Sequence, residues 1–246
     1  MGTGDGPASG PGWHVVVTGP RTGDQRREAL DFLAVSLGRR PGTFEVSHRC
    51  AQCGSEDHGR PELRHSRLAR RRRGPDALAA GDLAAPLPAV SFSRAGGWLA
   101  TAWLGESDTA AGWRIGVDLE QTGSAAFAEP AELAGVGFSA EEERLVGALD
   151  DHVRPGIRGL LWCAKEALAK AHGTGFVGDP ADVAVTVPGT LDLAVPDRPG
   201  AVIVPDRDWP GGHAPDHLLG AVVLLPPAGH RPPAEPGSEG SPAASA

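Results

Sequence analysis

Apolar and polar positions follow two different periods along the chain. Three segments repeat their apolar residues at the three-to-four spacing of an amphipathic helix. The second segment opens with a capping box, in which Ser139 is followed three residues later by Glu142, and the third stops at Gly173. The pattern therefore predicts helices over residues 26–37, 139–149 and 157–172.

Short β-branched and apolar runs, bounded by proline and glycine, predict strands between these helices. They cover residues 13–17, 89–93, 99–104, 113–119, 183–187, 191–195, 201–204 and 218–225. Strands and helices thus recur in two comparable halves, which indicates the α+β class. We expect an N-terminal subdomain over residues 13–108 and a C-terminal subdomain over 109–225.

The ends of the chain differ in composition from its centre. Residues 1–12 and 226–246 are rich in Gly, Pro, Ser and Ala, so we expect two disordered tails. Three cysteines and no basic-then-apolar leader favour a reducing, cytoplasmic location. The longest apolar run, residues 218–225, is too short to cross a bilayer, so no membrane partner is expected.

The distribution of basic residues singles out one of the helices. The chain has 23 basic residues, and only Lys165 and Lys170 are lysines. An ammonium group is a compact charge and a guanidinium a planar fork, so the two are not equivalent where one phosphate oxygen must be met. The helix that carries both lysines is therefore the first candidate for chemistry.

A second candidate lies on the strand before it. Asp118 and Glu120 are two residues apart, so on a strand they project to the same face. Adjacent carboxylates repel each other and are best tolerated around a cation, for which Mg²⁺ or Mn²⁺ suits oxygen ligands. Glu166 can add a third carboxylate if its helix packs against the strand. The alternatives are solvated carboxylates and an ordinary helical ion pair between Glu166 and Lys170.

Together, these two motifs resemble the paired signature of the 4'-phosphopantetheinyl transferases, in particular the larger, surfactin-synthetase-activating type. The motifs are Gly-Val-Asp-Leu-Glu at 116–120 and Trp-x-x-Lys-Glu-Ala-x-x-Lys at 162–170. Further likeness lies in segments 59–61, 91–96, 138–141 and 173–176, so the resemblance spans roughly residues 25–225. It implies a pseudo-twofold pair of similar α+β subdomains with the ligand between them.

The resemblance also implies an activity. The enzyme would transfer the 4'-phosphopantetheine arm of coenzyme A to a serine of an acyl or peptidyl carrier protein and release 3',5'-ADP. Asp118, Glu120 and Glu166 would hold Mg²⁺, with Mn²⁺ as the alternative ion. Glu166 would also accept the serine proton, and Lys170 would meet the pyrophosphate oxygens. Lys165 would either contact phosphate or brace the helix.

Coenzyme A binding implied by the resemblance involves both halves of the chain. Where the family has a histidine for the 3'-phosphate, this chain has Arg94, which keeps a permanent charge. Arg26 and Arg27 are either phosphate contacts or part of a solvated helix face. The implied cofactor-binding residues are Arg60, Pro61, Ser93, Arg94, Lys165 and Lys170.

An arginine-rich run interrupts the N-terminal half. Between Arg60 and Arg73 seven arginines accompany one glutamate, in a protein whose net charge is -8. We expect an insertion over about residues 64–76, forming a solvated flexible loop, a phosphate contact or a contact with an acidic carrier protein. The run has no interleaved aromatic residues, which disfavours nucleic acid.

A Cys-x-x-Cys pair precedes this run. Cys50 and Cys53 are flanked by His48 and His58, a set that can hold zinc tetrahedrally. The cluster has no second Cys-x-x-Cys. Reduced thiols in a loop are therefore the default expectation, with structural zinc as the alternative.

Two other classes of protein remain open. One is a coenzyme-A-binding relative that has lost transfer activity and acts as a regulatory or binding module. The other is a small zinc-dependent interaction protein, which explains neither the carboxylate pair nor the lysine helix. The sequence does not identify the carrier, although its composition suits polyketide or nonribosomal peptide pathways of secondary metabolism. Because one chain contains both halves, we expect a monomer.

Overall fold

Strands and helices alternate in a mixed α+β fold, as the sequence pattern predicts. The computed structural model describes residues 11–20, 23–50, 53–57, 59–72, 74, 77–78, 80–128, 135–176, 178–185, 193–196, 198, 200–210 and 213–230. The strands are β1 (Trp13–Thr18), β2 (Phe44–Arg49), β3 (Arg60–His65), β4 (Val90–Ala95), β5 (Trp98–Leu104), β6 (Arg114–Gln121), β7 (Val202–Pro205) and β8 (Leu218–Leu225). The helices are α1 (Gln25–Ser36), α2 (Arg67–Arg71), α3 (Ala80–Ala84), α4 (Glu106–Ala110), α5 (Ala140–Gly147) and α6 (Arg154–His172). Within these ranges no helix combines the length and apolarity that a bilayer crossing requires.

The two halves share a strand order. The first sheet runs β1-β5-β4 and the second β6-β8-β7, and both are antiparallel. In the first sheet β5 is the central strand and pairs with β1 and β4. In the second sheet β8 is the central strand and pairs with β6 and β7. In each sheet, therefore, the last strand along the chain lies in the middle. A long helix follows the first strand in both cases, α1 after β1 and α6 after β6. This common order is what a pseudo-twofold pair of α+β halves requires.

The two sheets pack face to face, and a helix covers the outer side of each. Residues on β6 alternate between these layers, with Val117 and Leu119 in the core between the sheets. Gly116 and Asp118, which alternate with these two residues, lie on the opposite face of β6, towards α6. Every residue of β8 is buried, because the strand is covered by the first sheet on one side and by α6 on the other.

Helix α6 approaches β6 at Gly116. A Cβ atom at this glycine would lie 1.8 Å from the carbonyl oxygen of Ala167 and 2.7 Å from the amide nitrogen of Ala171. The two backbones are therefore in direct contact, which a residue with a side chain would prevent. The helix ends at Gly173, whose φ of 79° is left-handed, as expected from the sequence.

The N-terminal half contains a hairpin that the sequence pattern did not predict. Strands β2 and β3 pair from Phe44↔His65 to Arg49↔Arg60 and pack against α1. The arginine-rich run, for which a flexible loop was one of three alternatives, continues from β3 into α2, whose first turn is capped by Ser66. The reason is that Phe44 and Leu63 bury one face of the hairpin while its charged side chains occupy the other.

Some expectations fall outside the described residues. These are the tails over 1–10 and 231–246 and the parts of two predicted strands within 186–192. Residues 226–230, assigned from the sequence to the C-terminal tail, are described. There the ring of His230 lies 5.1 Å from that of Trp113, so this part of the predicted tail packs against the C-terminal half.

Replacing Gly116 by alanine should destabilise the fold strongly. The added methyl group would overlap the Ala167 carbonyl, so α6 would have to move away from β6. We expect a loss of about 3 kcal/mol or more in the free energy of unfolding, measured by urea denaturation. Gly147→Ala is the matched control, since no atom lies within 4 Å of a Cβ there. Equal stability of the two variants would contradict the backbone contact.

Candidate active site

Three side chains from three elements meet where the two halves join. Asp118 of β6 is 3% exposed, and its Oδ1 accepts hydrogen bonds from Lys170 Nζ at 2.6 Å and Ser93 Oγ at 2.8 Å. Lys170 Nζ also lies 3.2 Å from Ser93 Oγ. Lys170 comes from α6 and Ser93 from β4, so this triad connects the second half to the first.

Glu120 and Glu166 lie close enough to this triad for the charges of Asp118 and Lys170 to change their pKa values. Burial raises the pKa of Glu120, and the negative charges of Asp118 and Glu166 raise it further. Lys170 and a hydrogen bond from Trp162 act in the opposite direction. Burial likewise raises the pKa of Glu166, and Asp118 adds to the effect. The three predicted carboxylates therefore crowd one another around a single lysine.

The carboxylate oxygens of the site are the kind of donor that a hard divalent cation binds, but their arrangement matches a metal site only in part. Asp118 Oδ2 is buried and accepts no hydrogen bond from the described residues, so one carboxylate oxygen lacks a partner among them. Oxygen donors of this kind are those that Mg²⁺ and Mn²⁺ prefer. Over the described residues, however, no three His, Cys, Asp or Glu side chains are gathered as a metal site. In this structure the Lys170 ammonium balances the charge of Asp118.

Cys163 lies beneath the carboxylates. It is fully buried on α6, and its Sγ lies 3.8 Å from the Leu219 carbonyl oxygen. Burial raises the pKa of the Cys163 thiol well above its usual value, and the charges of Asp118 and Glu120 raise it further. The residue therefore stays a neutral thiol that packs the floor of the site.

The zinc alternative depends on residues that the structure describes only in part. Cys50 is half-buried and Cys53 is exposed, and His58 lies outside the described residues. Within the described ranges, Cys50, Cys53 and His48 do not gather with one another as a set of three metal ligands. Cys50 and His48 instead form part of the wall of a cavity.

A cavity of about 430 Å³ opens beside the carboxylates, between the two halves. The first half supplies its wall from α1, the β2–β3 hairpin and β4, and the second half from α6 and the turn that follows it. The basic side chains Arg26, Arg60 and Lys170 outnumber the one acid in the wall, Glu166. The cavity therefore favours an anion. Its lining is Arg26, His48, Cys50, Gly59, Arg60, Pro61, Ser91, Phe92, Glu166, Lys170, Gly173, Thr174 and Gly175.

Two arginines of the cavity are held in place by neighbouring residues. The Arg26 guanidinium carbon lies 5.1 Å from the centre of the Phe92 ring, and its buried Nε has no hydrogen-bond partner in the structure. The Arg60 side chain lies against Gly173, where a Cβ would come within 3.0 Å of Arg60 Cδ. Burial lowers the pKa of Arg60, and the charge of Arg114 adds to the effect. Both arginines thus offer donors to a ligand in the cavity.

Lys165, one of the predicted coenzyme A contacts, lies in the interior and does not line this cavity. Its side chain is 0% exposed. Its Nζ donates to Glu142 Oε2 at 2.6 Å and to the carbonyl oxygens of Gly137 and Pro180 at 3.0 Å each. All three ammonium hydrogens are therefore engaged. This geometry favours the bracing role over contact with phosphate.

Other predicted contacts divide between the cavity and its surroundings. Pro61 and Arg60 both line the cavity. Ser93 does not line it, and its hydroxyl donates a hydrogen bond to Asp118. Arg94 is exposed, does not line this cavity, and donates from Nη1 to Gln25 Oε1 at 2.7 Å. Arg27 pairs with Asp31 at 3.2 Å on the outer face of α1, which favours the solvated-face interpretation for this residue.

The sequence interpretation missed two contributions to the site. Phe92 supports the Arg26 guanidinium, and Glu142 combines its capping role with binding of Lys165. Glu142 Oε1 also accepts from the amide of Val185 at 3.0 Å. The capping box predicted the position of Glu142, but no local pattern indicates a partner 23 residues away.

Comparison with protein families agrees with this geometry. Residues 114–195 match the family model of the 4'-phosphopantetheinyl transferase superfamily. The matched stretch contains β6 and α6, and so Asp118, Glu120, Glu166 and Lys170. No curated protein matches the chain. This stretch, about a third of the chain, is similar to the 4'-phosphopantetheinyl transferase superfamily, as the paired motifs predicted, and the match supports phosphopantetheine transfer in general.

Removing the buried ammonium should cost stability. Lys165→Met leaves the Glu142 carboxylate buried without its counter-charge, so we expect a loss of about 3–5 kcal/mol in the free energy of unfolding. The matched control is Arg144→Met, which breaks an exposed pair with Glu141 and should change stability little, because water screens that pair. Normal stability with reduced coenzyme A affinity would instead assign Lys165 to the ligand.

Proposed function

We propose that this protein transfers the 4'-phosphopantetheine arm of coenzyme A to a serine of an acyl or peptidyl carrier protein. The reaction depends on Mg²⁺ and releases 3',5'-ADP. The observation that supports this most directly is the convergence of the Asp118–Lys170 pair, Glu120 and Glu166 at the edge of a cationic cavity. The match of residues 114–195 to the superfamily model supports the same class of reaction.

The cationic wall suits the phosphates of coenzyme A. Arg26 and Arg60 enter the cavity from the first half and Lys170 from the second, so an anion between them is met from both sides. The guanidinium groups can each grip phosphate with two hydrogen bonds. Lys170 can donate to an oxygen of the diphosphate and stabilise the charge that develops on the leaving group.

Asp118, Glu120 and Glu166 would hold the Mg²⁺ ion, with Mn²⁺ as a substitute. When bound, the ion supplies charge neutralisation at the phosphate oxygens. The partnerless Oδ2 of Asp118 and the mutual repulsion of the carboxylates support this assignment. Lys170, which pairs with Asp118 in the structure, would then be released towards the substrate phosphates.

The transfer itself needs a proton acceptor. The serine hydroxyl oxygen attacks the phosphorus that bears the pantetheine arm, a new P–O bond forms, and the P–O bond to 3',5'-ADP breaks. Glu166 accepts the serine proton directly or through a water molecule. Its place in the wall of the cavity supports this role, because a proton acceptor must come within hydrogen-bond reach of the substrate hydroxyl.

The finer assignment follows the sequence resemblance. We propose the larger, surfactin-synthetase-activating subtype, acting on carriers of secondary metabolism in the cytoplasm. Both halves of a single chain line the cavity, which supports a monomer. We also propose subdomains over residues 13–108 and 109–225, the second carrying the metal site.

A carrier-loading assay tests this function. The protein is incubated with an apo carrier protein, coenzyme A and Mg²⁺, and the carrier should gain the mass of one phosphopantetheine arm. Glu166→Gln and Asp118→Ala should each lower the rate at least about 100-fold, as expected for removal of a general base or of charge stabilisation. Chelation of divalent ions should do the same.

Glu141→Gln is the control, since Glu141 is an exposed acid on α5 that should leave the rate unchanged. Absence of loading across several carriers, with coenzyme A binding retained, would replace the transferase by a coenzyme-A-binding module. The position of Arg94, turned towards Gln25, is the observation that favours this second function.

Coenzyme A binding should depend on Arg26 more than on its neighbour. Arg26→Ala should raise the dissociation constant at least about tenfold, because a hydrogen bond to a charged group contributes about 1.5–3 kcal/mol. Arg27→Ala should have little effect, since Arg27 pairs with Asp31. Isothermal titration calorimetry with coenzyme A and dephospho-coenzyme A measures both. An Arg94→Ala loss that is larger for coenzyme A than for dephospho-coenzyme A would show that Arg94 binds the 3'-phosphate.

A further inference from the structure

A groove runs around the C-terminal end of α6, outside the cavity described above. It consists of two adjoining cavities of about 300 and 200 Å³, which share His172 and Arg198 in their walls. The smaller one is also lined by Arg114 at the start of β6 and by His230 after β8. The groove therefore gathers basic side chains from separate segments of the C-terminal half.

These positive charges are not compensated within the described part of the chain. Neither Arg114 nor Arg198 forms an ion pair or a side-chain hydrogen bond there. Burial lowers the pKa of His172. The charges of Arg198 and Arg114 lower it further, because both arginines repel a protonated His172. Among the described residues of the two cavity walls, Asp182 is the one acid. A cationic groove in a protein of net charge -8 is a local feature that favours an anionic partner.

The larger cavity adds an apolar surface to these charges. Its wall includes Leu168 of α6, Phe176 after the helix, and Val183 and Val195 from the segments that follow. Apolar residues beside arginines suit an amphipathic protein surface better than a free phosphate, which would gain nothing from the apolar wall. The dimensions also exceed what a single phosphate needs.

The groove adjoins the reaction cavity. Thr174 and Gly175 line both the 430 Å³ cavity and the 300 Å³ cavity, so the turn after α6 forms a shared rim. A protein whose serine enters the first cavity across this rim brings its neighbouring surface over the second. The position of the groove therefore fits the protein substrate and not the nucleotide.

We propose that this groove docks the carrier protein. Apolar side chains next to the acceptor serine lie against the half-buried Phe176 and Val183, and acidic side chains of the same surface pair with Arg198 and Arg114. This assignment rests on the proposed function, because it takes its partner from the reaction. It adds a docking site that no catalytic step requires.

The structural alternative is that these cations only complement the negative C-terminal end of α6. That explanation suits His172, which lies in the last turn of the helix. It does not account for Arg114 and Arg198, which come from other segments. Nor does it account for the apolar wall beside them.

The test is direct binding of a fluorescently labelled, acidic apo acyl carrier protein, without coenzyme A, measured by anisotropy. Arg198→Glu should raise the dissociation constant roughly tenfold, because reversal replaces attraction by repulsion at an exposed contact. Arg114→Gln should weaken binding to a smaller extent. Arg207→Glu is the matched control, an exposed arginine that lines none of the three cavities and should leave binding unchanged.

A charge-swapped carrier makes the test specific. Replacing an acidic residue next to the acceptor serine by lysine should weaken binding to the wild-type protein and restore binding to Arg198→Glu. A misfolded variant would not regain binding to the charge-swapped carrier, so restored binding would show that the loss comes from the change of charge. In the loading assay the same variant should raise KM for the carrier by a larger factor than it changes KM for coenzyme A.

The outcomes separate this proposal from the transferase function. Normal loading by the wild type with unchanged carrier binding by Arg198→Glu overturns the groove and leaves the function intact. Absence of loading overturns the function, and carrier binding then decides on the groove alone: sensitivity to Arg198→Glu supports it, and no binding or insensitive binding overturns it. Inorganic pyrophosphate that binds through Arg198 while the carrier does not would replace the protein partner by a small anion.

Discussion

The direct backbone contact between α6 and β6 at Gly116 determines the geometry of the whole site. It places the Ala167 carbonyl where a side chain would otherwise stand. Glu166 and Lys170 lie on the same helix, and Asp118 and Glu120 follow Gly116 on the same face of the strand. The contact therefore sets the separation between the lysine and the carboxylates. The 2.6 Å distance from Lys170 Nζ to Asp118 Oδ1 depends on it.

The two lysines of α6 then have separate tasks. They are five residues apart, which places them about 140° apart around the helix axis. Lys165 is buried and ties α6 to the start of α5 and to the segment around Pro180. This fixes the rotation of the helix about its axis, so that Lys170, with 31% of its side chain exposed, faces the cavity. An ammonium suits both positions, since it can meet three separate acceptors inside and a single oxygen outside.

The sequence predicted what depends on local periodicity and capping. The alternation on β6, the capping box at Ser139 and the glycine that ends α6 are properties of neighbouring residues, and the structure confirms them. The β2–β3 hairpin was missed because its buried residues are few and lie among charged ones. The partner of Lys165 was missed because it depends on the packing of distant segments. The positions of Arg26 and Arg94 relative to the cavity likewise depend on Phe92 and Gln25, which no spacing rule connects to them.

The end of α6 explains how so many cations coexist in an acidic protein. The partial negative charge at a helix C-terminus stabilises nearby basic groups, and here Lys170 and His172 lie in the last turn. Arg60 packs on one side of Gly173, and Arg198 shares a cavity wall with His172 on the other. The helix end thus stabilises the basic groups of its own last turn, while Arg60 and Arg198 are placed beside it by other segments. Positive charge on both sides of the turn after α6 would favour anionic ligands in the cavity and in the groove alike.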